Sequence, residues 1–342
     1  MSVFQHIAER FKPKPTDVNG IDFGQKNTKV VRLRKSGDDI SLSDIELLPP
    51  IDLMQESSLP SSLSIPVKSR ANYASLAVDV PGIIVKLLTV PGAIDESFND
   101  KLARNLGLHD DTTDRIGYRI LKQGSGRSES RILAVAMPES AAHRCAHLFA
   151  TGLPAPWRLG SSVVDTLTAF EAGPVAAQTN NTIAILDFSA KRCCFSIFHK
   201  ASLVLFRTFE FGMENVFNKI STTLNVDRET ATNILADEAF DISDLLQETL
   251  QPLFTQLVVS RDFIERRDNC SLQSIHLCGA FSQSDTAMAK IEQALNTSVL
   301  PWDPFRIPNL SVVTSIDDVM ENQKWRFAPA LGAALAAFEE EE

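Results

Sequence analysis

Two short stretches combine acids, small residues and lysines in an order that suits phosphate and metal chemistry. The first is Gly20-Ile21-Asp22-Phe23-Gly24-Gln25-Lys26-Asn27-Thr28-Lys29-Val30-Val31-Arg32-Leu33. Asp22 ends one apolar run, Gly24 follows it, and Lys29 opens the next. A glycine allows the backbone angles and close approach of a tight turn. Successive N–H groups in such a turn can converge on a phosphate, and a neighbouring carboxylate can orient metal-bound water. The same residues would equally make an ordinary β-hairpin, and local sequence leaves both readings open. About half a chain length later, Ile183-Ala184-Ile185-Leu186-Asp187-Phe188-Ser189-Ala190-Lys191 repeats the grammar: apolar strand, Asp, Phe, small residue, any residue, Lys. It too runs into a further apolar strand, Cys194-Phe195-Ser196-Ile197-Phe198. Two similar halves point to a duplicated architecture.

Other reactive side chains carry less. His143 and His147 lie four apart on an expected helix and could share a metal. Cys145 between them points elsewhere and no fourth ligand is evident, so a surface histidine pair is the simpler reading. Cys193 and Cys194 are adjacent in a strand, which sends their thiols to opposite faces as small apolar groups. No Ser-His-Asp constellation follows from spacing. A net charge of −10 argues against a general nucleic-acid surface. Five scattered cysteines do not form a disulfide framework. No apolar run reaches the length of a membrane span; Phe327 to Phe338 is too short and contains Pro329 and Gly332. The N-terminus lacks an apolar signal core.

These residues need elements to hold them. A chain of 342 residues, 44% of them hydrophobic, supports a packed core and two lobes. Residues 1–14 form a short amphipathic stretch with Phe4, Ile7 and Phe11 on one helical face, either a membrane or partner contact or a frayed leader. A hairpin over 17–34 is followed by a strand from Ile40 to Leu48 and an irregular connection over 55–65. Tyr73 to Val80 and Ile83 to Val90 read as strands, Asp95 to Leu106 as a helix, Arg115 to Leu121 and Ser130 to Ala136 as strands, and Glu139 to Ala150 as a helix. That order suggests an α+β insertion of ferredoxin-like layout. Leu159 to Ala172 reads as a helix, and Thr182 to Phe209 as three strands. Helices are expected at Asn215–Thr223, Arg228–Leu235, Asp241–Asp268 and Ser284–Leu295. Short strands are expected at Gln273–Leu277 and Val299-Leu300. An Ala-rich helix from Phe327 to Phe338 closes the chain before the acidic residues Glu339 to Glu342.

This layout resembles the actin/Hsp70/sugar-kinase superfamily and, within it, the PilM family of actin-like type IV pilus assembly proteins, which is related to FtsA. The likeness rests on the first hairpin, the insertion beginning near Val80-Pro81-Gly82, the Leu186-Asp187 hairpin, the Phe211-Gly212 corner, Leu277-Cys278-Gly279-Ala280 and the closing Ala330-Leu331-Gly332-Ala333-Ala334-Leu335. It implies an α/β, two-lobed actin-like (ribonuclease H-like) fold with an inserted α+β subdomain. The expected division is a leader over 1–16, the first half of the N-terminal lobe over 17–74, the insertion over 75–157, a returning helix over 158–181, and the C-terminal lobe over 182–342 with a helical subdomain at 213–272. The resemblance also implies a cleft for ATP and Mg²⁺. Asp22 and Asp187 match its metal-orienting acids. Gly24, Gln25, Lys26, Asn27 and Lys29 match its first phosphate loop, Ser189 and Lys191 the second, and Gly212, Gly279 and Ala280 its nucleoside side. Departures are as plain: Ser189 replaces a glycine, Lys191-Arg192 replace small hydroxyl residues, Met213 follows Gly212, Thr232 and Leu235 replace a ribose-flanking acid and lysine, Phe281 is set to intrude on a base, and Ser162 stands where an acid is expected. The site is therefore expected to bind nucleotide weakly or to have lost it, unless Lys191 and Arg192 compensate as phosphate contacts.

The implied role is a cytoplasmic scaffold of type IV pilus assembly or related type II secretion, with little or no ATPase activity. It would sit at the inner membrane through partners, docking the N-terminal cytoplasmic tail of a PilN-like bitopic membrane protein, with homo-oligomers possible and no nucleic acid. The rival readings are an active ATPase or small-molecule kinase on the same fold and an FtsA-like filament-forming protein.

Overall fold

A computed structural model of the protein describes residues 14–55, 59–94, 98–108, 113–125, 128–149, 152–178, 180–236, 240–314 and 323–339. Leader residues 1–13, the helix start at 95–97 and the last three glutamates lie outside them. The first half runs β1 (Asp17–Phe23), β2 (Thr28–Ser36), β3 (Asp39–Leu48), β4 (Tyr73–Val78), β5 (Ile84–Pro91), α1 (Phe98–Leu106), β6 (Asp114–Lys122), β7 (Glu129–Pro138), α2 (Glu139–His147), β8 (Ala155–Ser161) and α3 (Ser162–Glu171). The second half runs β9 (Thr182–Phe188), β10 (Cys193–His199), β11 (Ser202–Phe209), α4 (Met213–Leu224), α5 (Arg228–Ala236), α6 (Ser243–Asp268), β12 (Ser274–Gly279), α7 (Asp285–Leu295), β13 (Ser298–Pro301), β14 (Leu310–Val312) and α8 (Ala328–Ala336).

The strands form three sheets, ordered β14-β3-β2-β1-β4-β8, β11-β10-β9-β12-β13 and β5-β7-β6. Each large sheet begins with an antiparallel meander and continues with a parallel strand on the other side of its first strand: β4 beside β1, and β12 beside β9. The two hairpins therefore occupy equivalent places in two equivalent sheets, as their repeated sequence suggests.

Strand alternation explains where the acids go. On β1, Ile21 and Phe23 enter one buried cluster with Leu76, Val78 and the α2 residues Ala141, Ala142 and Cys145. Val18, Gly20 and Asp22 share the opposite face. On β9, Ala184, Leu186 and Phe188 enter the core of the second lobe, whereas Ile183 and Ile185, and hence Asp187, face the first lobe. One apolar core, containing Val18, Leu33, Phe170, Ile185, Phe198, Trp302 and Phe327, is shared between the sheets. Both hairpin acids stand at its rim, facing the same space.

Four expectations change. Leu159, Gly160 and Ser161 belong to β8, not to a helix, because Leu76, Ala77 and Val78 of β4 pair with them in parallel; the helix begins only at Ser162. The insertion is narrower than 75–157, since β4 and β8 are strands of the first sheet. Helix α1 covers one face of the small sheet, where Phe98, Leu102 and Leu106 meet Ile132 and Ala134; α2 shares a buried cluster with Val135 from the other face and with Ile21, Leu76 and Val78 of the first large sheet, so the two helices do not share a face as a ferredoxin-like layout requires. Finally, residues 182–342 are not all in the second lobe. Leu310–Val312 pairs with Ile40–Leu42 of β3, and α8 lies between β1 and α3. A Cβ on Gly20 would stand 1.8 Å from the Ala330 carbonyl oxygen, and one on Gly332 1.7 Å from that of Asp165. Only hydrogen at these two positions lets the Ala-rich helix seat that deeply.

Candidate functional site

The two hairpins meet where the inner faces of the large sheets diverge. Asp22 is opposite Lys29 in the β1–β2 register, and the lysine folds back to it: Nζ lies 2.7 Å from Oδ2. The hydroxyl of Ser162, first residue of α3, donates to Oδ1 at 2.9 Å. Both oxygens of this buried carboxylate thus have partners within the chain. The folded lysine also fills the hollow over Gly24, where a Cβ would stand 2.1 Å from Nζ.

The residues between Asp22 and Lys29 reach across to the second lobe. Gln25, with its amide oriented to satisfy both neighbours, donates to Glu214 at 2.7 Å and accepts from Lys191 at 3.1 Å. The Lys26 ammonium lies 5.9 Å from the centroid of Phe217 on α4. Asn27 accepts from the Arg326 guanidinium at 2.5 Å, just ahead of α8. From the other side Arg192 crosses to the end of β4, 3.0 Å from Asp79 Oδ1, and donates to the Val80 carbonyl at 3.4 Å. Burial raises Asp79 above the usual carboxylate range, Arg192 pulls it back, and Asp22 adds to the rise.

The second loop is closed on itself. The Ser189 N–H and hydroxyl both donate to the Arg192 carbonyl at 3.0 Å, and the Arg192 N–H donates to Ser189 Oγ at 3.4 Å. The carbonyls of Ser189 and Ala190 accept from the N–H groups of Met213 and Glu214 at 3.0 and 2.9 Å. These are orphan donors of the α4 N-terminus, the kind of group that would otherwise face an anion. Gly212 permits the contact, since a Cβ there would be 2.5 Å from the Ala190 carbonyl oxygen.

Asp187 sits beside Cys278 in the β9–β12 register. Desolvation pushes its carboxyl up to about 7, with Asp22 and Asp79 pushing the same way and the Cys278 thiol and Lys29 opposing. At neutral pH it is only partly ionised. The cavity beside it, lined by Val163, Thr166, Leu167, Ile185, Cys194 and Ser196, holds about 10 Å³, the room of one water molecule at most. Asp165 stands one turn along α3 from Ser162, wholly buried, 2.8 Å from Arg158. Burial raises its carboxyl to about 6.

Gly279 has a left-handed backbone (φ 104°) and packs against the second hairpin: a Cβ there would be 2.3 Å from the Phe188 carbonyl oxygen. Ala280 follows it, partly buried against the second-lobe core. Phe281 does not point at a nucleoside position. It is fully buried in the second lobe, edge-to-face with Phe188 at 4.8 Å. The Thr232 hydroxyl donates back to the Arg228 carbonyl within its own helix, and Leu235 packs on the second-lobe core.

The structure thus gathers Asp22, Gly24, Gln25, Lys26, Asn27 and Lys29 with Asp187, Ser189, Lys191, Gly212 and Gly279 around one cleft. The sequence reading did not single out Asp79, Glu214, Arg326 or the Asp165–Arg158 pair. Asp79 carried a signal: it is an acid just past the C-terminal end of the buried strand β4, as Asp22 is an acid within the C-terminal end of β1, the edge where open α/β sheets hold ligands. The arrangement does not fit a nucleotide–metal complex as it stands. Lys29 and Ser162 occupy Asp22, desolvation favours the neutral form of Asp187, and among the described residues no three His, Cys, Asp or Glu side chains are grouped to hold a metal. That applies also to His143, which is exposed and 3.1 Å from Glu139, while Cys145 is buried on the other helix face. Cys193 and Cys194 are buried in different cores, as their adjacency in a strand requires. A wider groove of about 530 Å³ lies elsewhere, between α6 and α7, lined in part by Phe254, Val258 and Ala294. Among the described residues no helix is long and apolar enough to cross a membrane.

The family pattern described as type IV pilus assembly protein PilM matches residues 170–338. The solved PilM-PilN type IV pilus biogenesis complex superposes on 96% of this chain and 100% of its own, with a TM-score of 0.77 at 18% identity. A protein of Bacteroides thetaiotaomicron described as having an actin-like ATPase fold and unknown function covers 89% of this chain and 95% of its own, with a TM-score of 0.48 at 12% identity. No curated protein sequence matches the chain.

Proposed function

We propose that this chain, which is of the PilM type by the pattern of its second half and by its actin-like fold, works as a scaffold of type IV pilus assembly or related type II secretion, not as an enzyme. The observation that carries this reading is the set of ties across the cleft. Arg192 to Asp79, Lys191 through Gln25 to Glu214, and Arg326 to Asn27 place the chain's own charges and amides where a phosphate-bearing ligand would compete for them. In this reading Asp22, Gly24, Lys26, Lys29, Asp187, Ser189, Gly212, Gly279 and Ala280 form a degenerate nucleotide cleft. It binds ATP and Mg²⁺ weakly or not at all, and its hairpins hold the lobes together.

The partner of this scaffold is the N-terminal cytoplasmic tail of a PilN-like bitopic inner-membrane protein, a proposal supported by the solved complex with which the fold is shared. The chain would be cytoplasmic and peripheral to the inner membrane through that tail. An extended peptide can bind by adding a strand or lying in an apolar groove, and the flank of the inserted subdomain is where such a tail is expected. Affinity capture with a synthetic tail tests this directly. Retention of the full chain without nucleotide supports the role; no retention with or without nucleotide removes it. Phosphate release that Asp22→Ala abolishes would instead make the chain an ATPase.

A further inference from the structure

Arg192 touches carboxylates on both sides of the cleft. Its Nη2 lies 3.0 Å from Asp79 Oδ1 and donates to the Val80 carbonyl at 3.4 Å, both carried by the first lobe just past β4. Its Nε lies 3.9 Å from Glu210 Oε1, on its own lobe. The two acids differ in how they would travel. In the β10–β11 register Cys193 stands opposite Phe209. Arg192 and Glu210 are each one residue beyond that pair, so they stay neighbours whatever the lobes do, whereas Asp79 moves with the other sheet. Ser189 fixes the backbone of Arg192, bonding both its N–H and its carbonyl, which leaves the side chain free to change partner. The surroundings differ as well. The Arg192 side chain is 16% exposed and that of Asp79 32%, but that of Glu210 is 87% exposed. A guanidinium drawn away from Asp79 therefore has a solvated carboxylate beside it, and opening leaves no unpaired charge in a dry site.

We infer that Arg192 is a two-position latch between the lobes: it closes the cleft on Asp79 and passes to Glu210 when the cleft opens. One side chain with two discrete partners is an element that can make a packed interface bistable. Opening parts only the rim of the shared core, where Asp22 and Asp187 stand, so the latch controls access of solvent and ligand to both acids. The proposal rests on the reading that the cleft ties hold the lobes together. Lobe opening and tail capture are read by separate measurements, so either can fail without the other.

The chain carries its own reporters. Cys194 and Cys278 flank Asp187 in register and are buried in the core shared between the sheets. Cys193 is buried in the second-lobe core, and Cys145 in the first-lobe cluster under α2. Labelling the full chain with N-ethylmaleimide, with each cysteine followed by mass spectrometry, separates opening from unfolding, because opening bares Cys194 and Cys278 only. Asp79→Asn should speed labelling of these two about three- to fivefold, as for loss of a partly exposed ion pair, with Cys193 and Cys145 still protected. Glu210→Gln should slow it about twofold, because the open state loses its partner. In an Arg192→Met background Glu210→Gln should change nothing. Unchanged rates in Asp79→Asn overturn the proposal, as do unchanged or faster rates in Glu210→Gln. A slowing by Glu210→Gln that persists without Arg192 also overturns it, since that would be relief of the repulsion between Glu210 and Asp79. So does wild-type Cys193 reacting in step with Cys278, which would make unfolding the only route to these thiols.

Discussion

Asp187 offers the sharpest test of the cleft chemistry, because its environment predicts both a sign and a size. Desolvation raises its carboxyl from 3.8 to about 7, with Asp22 and Asp79 adding to the rise. Lys29 and the Cys278 thiol oppose it, and the buried thiols of Cys193 and Cys194 lie close enough to feel its charge. A carboxyl whose folded value lies above its unfolded one holds its proton more tightly in the folded chain. Its contribution to stability is therefore complete below the unfolded value, is lost progressively as pH climbs toward about 7, and changes no further above that. The full loss is at most about 4 kcal/mol at 1.36 kcal/mol per unit, of which about 3 falls between roughly pH 5 and 8. Solvent reaching the half-buried group reduces this. Asp187→Asn keeps the shape and the acceptor toward Cys278 but has no proton to lose. Urea unfolding of both proteins should show the variant gaining on the wild type as pH rises from about 5 to 8, by about 2–3 kcal/mol. An advantage that is flat across this range, or one that shrinks, would refute the desolvated environment assigned to Asp187.

Three further perturbations follow from the packing and pairing. Gly332→Leu forces α8 off the Asp165 carbonyl; an overpacking cost of about 3 kcal/mol should lower the melting temperature by roughly 4 °C for a chain of this size, read by calorimetry. Phe281→Ala should cost about 3–5 kcal/mol as a core truncation and leave ATP affinity unmoved, because the ring packs on Phe188 and not on a base site; a large gain in nucleotide binding would contradict that placement. Lys29→Ala strips a buried carboxylate of its cation and should destabilise by about 2–3 kcal/mol, whereas Lys29→Met with Asp22→Asn should recover most of the loss in a double-mutant cycle.

Much of this architecture could be read before any coordinates. The Asp-Phe-small-x-Lys grammar is local, and alternation fixes which way Asp22 and Asp187 point, so the facing hairpins were legible. Several other features depend on distant partners. Leu159 to Ser161 become a strand because Leu76 to Val78 lie beside them, and nothing in those three residues declares it. The seating of α8 on the first lobe hangs on Gly20 and Gly332, whose roles appear only once they lie against Ala330 and Asp165, far away in the chain, and the return of Leu310–Val312 depends on the equally distant Ile40–Leu42. Phe281 was misread for a related reason: an aromatic beside a glycine suggests intrusion into a cleft, but the left-handed turn at Gly279 swings it into the core. The ties made by Asp79, Glu214 and Arg326 are tertiary pairings of ordinary surface residue types, which composition and spacing do not distinguish from a solvated face.

The scaffold account stands most directly on one titration: the full chain against the cytoplasmic tail peptide of the proposed PilN-like partner, by calorimetry, with and without ATP and Mg²⁺. The account predicts that the tail binds, that its affinity is the same in both conditions, and that ATP alone gives no micromolar binding heat. Tail binding that appears only with nucleotide, or tight ATP binding with no tail binding, would contradict it.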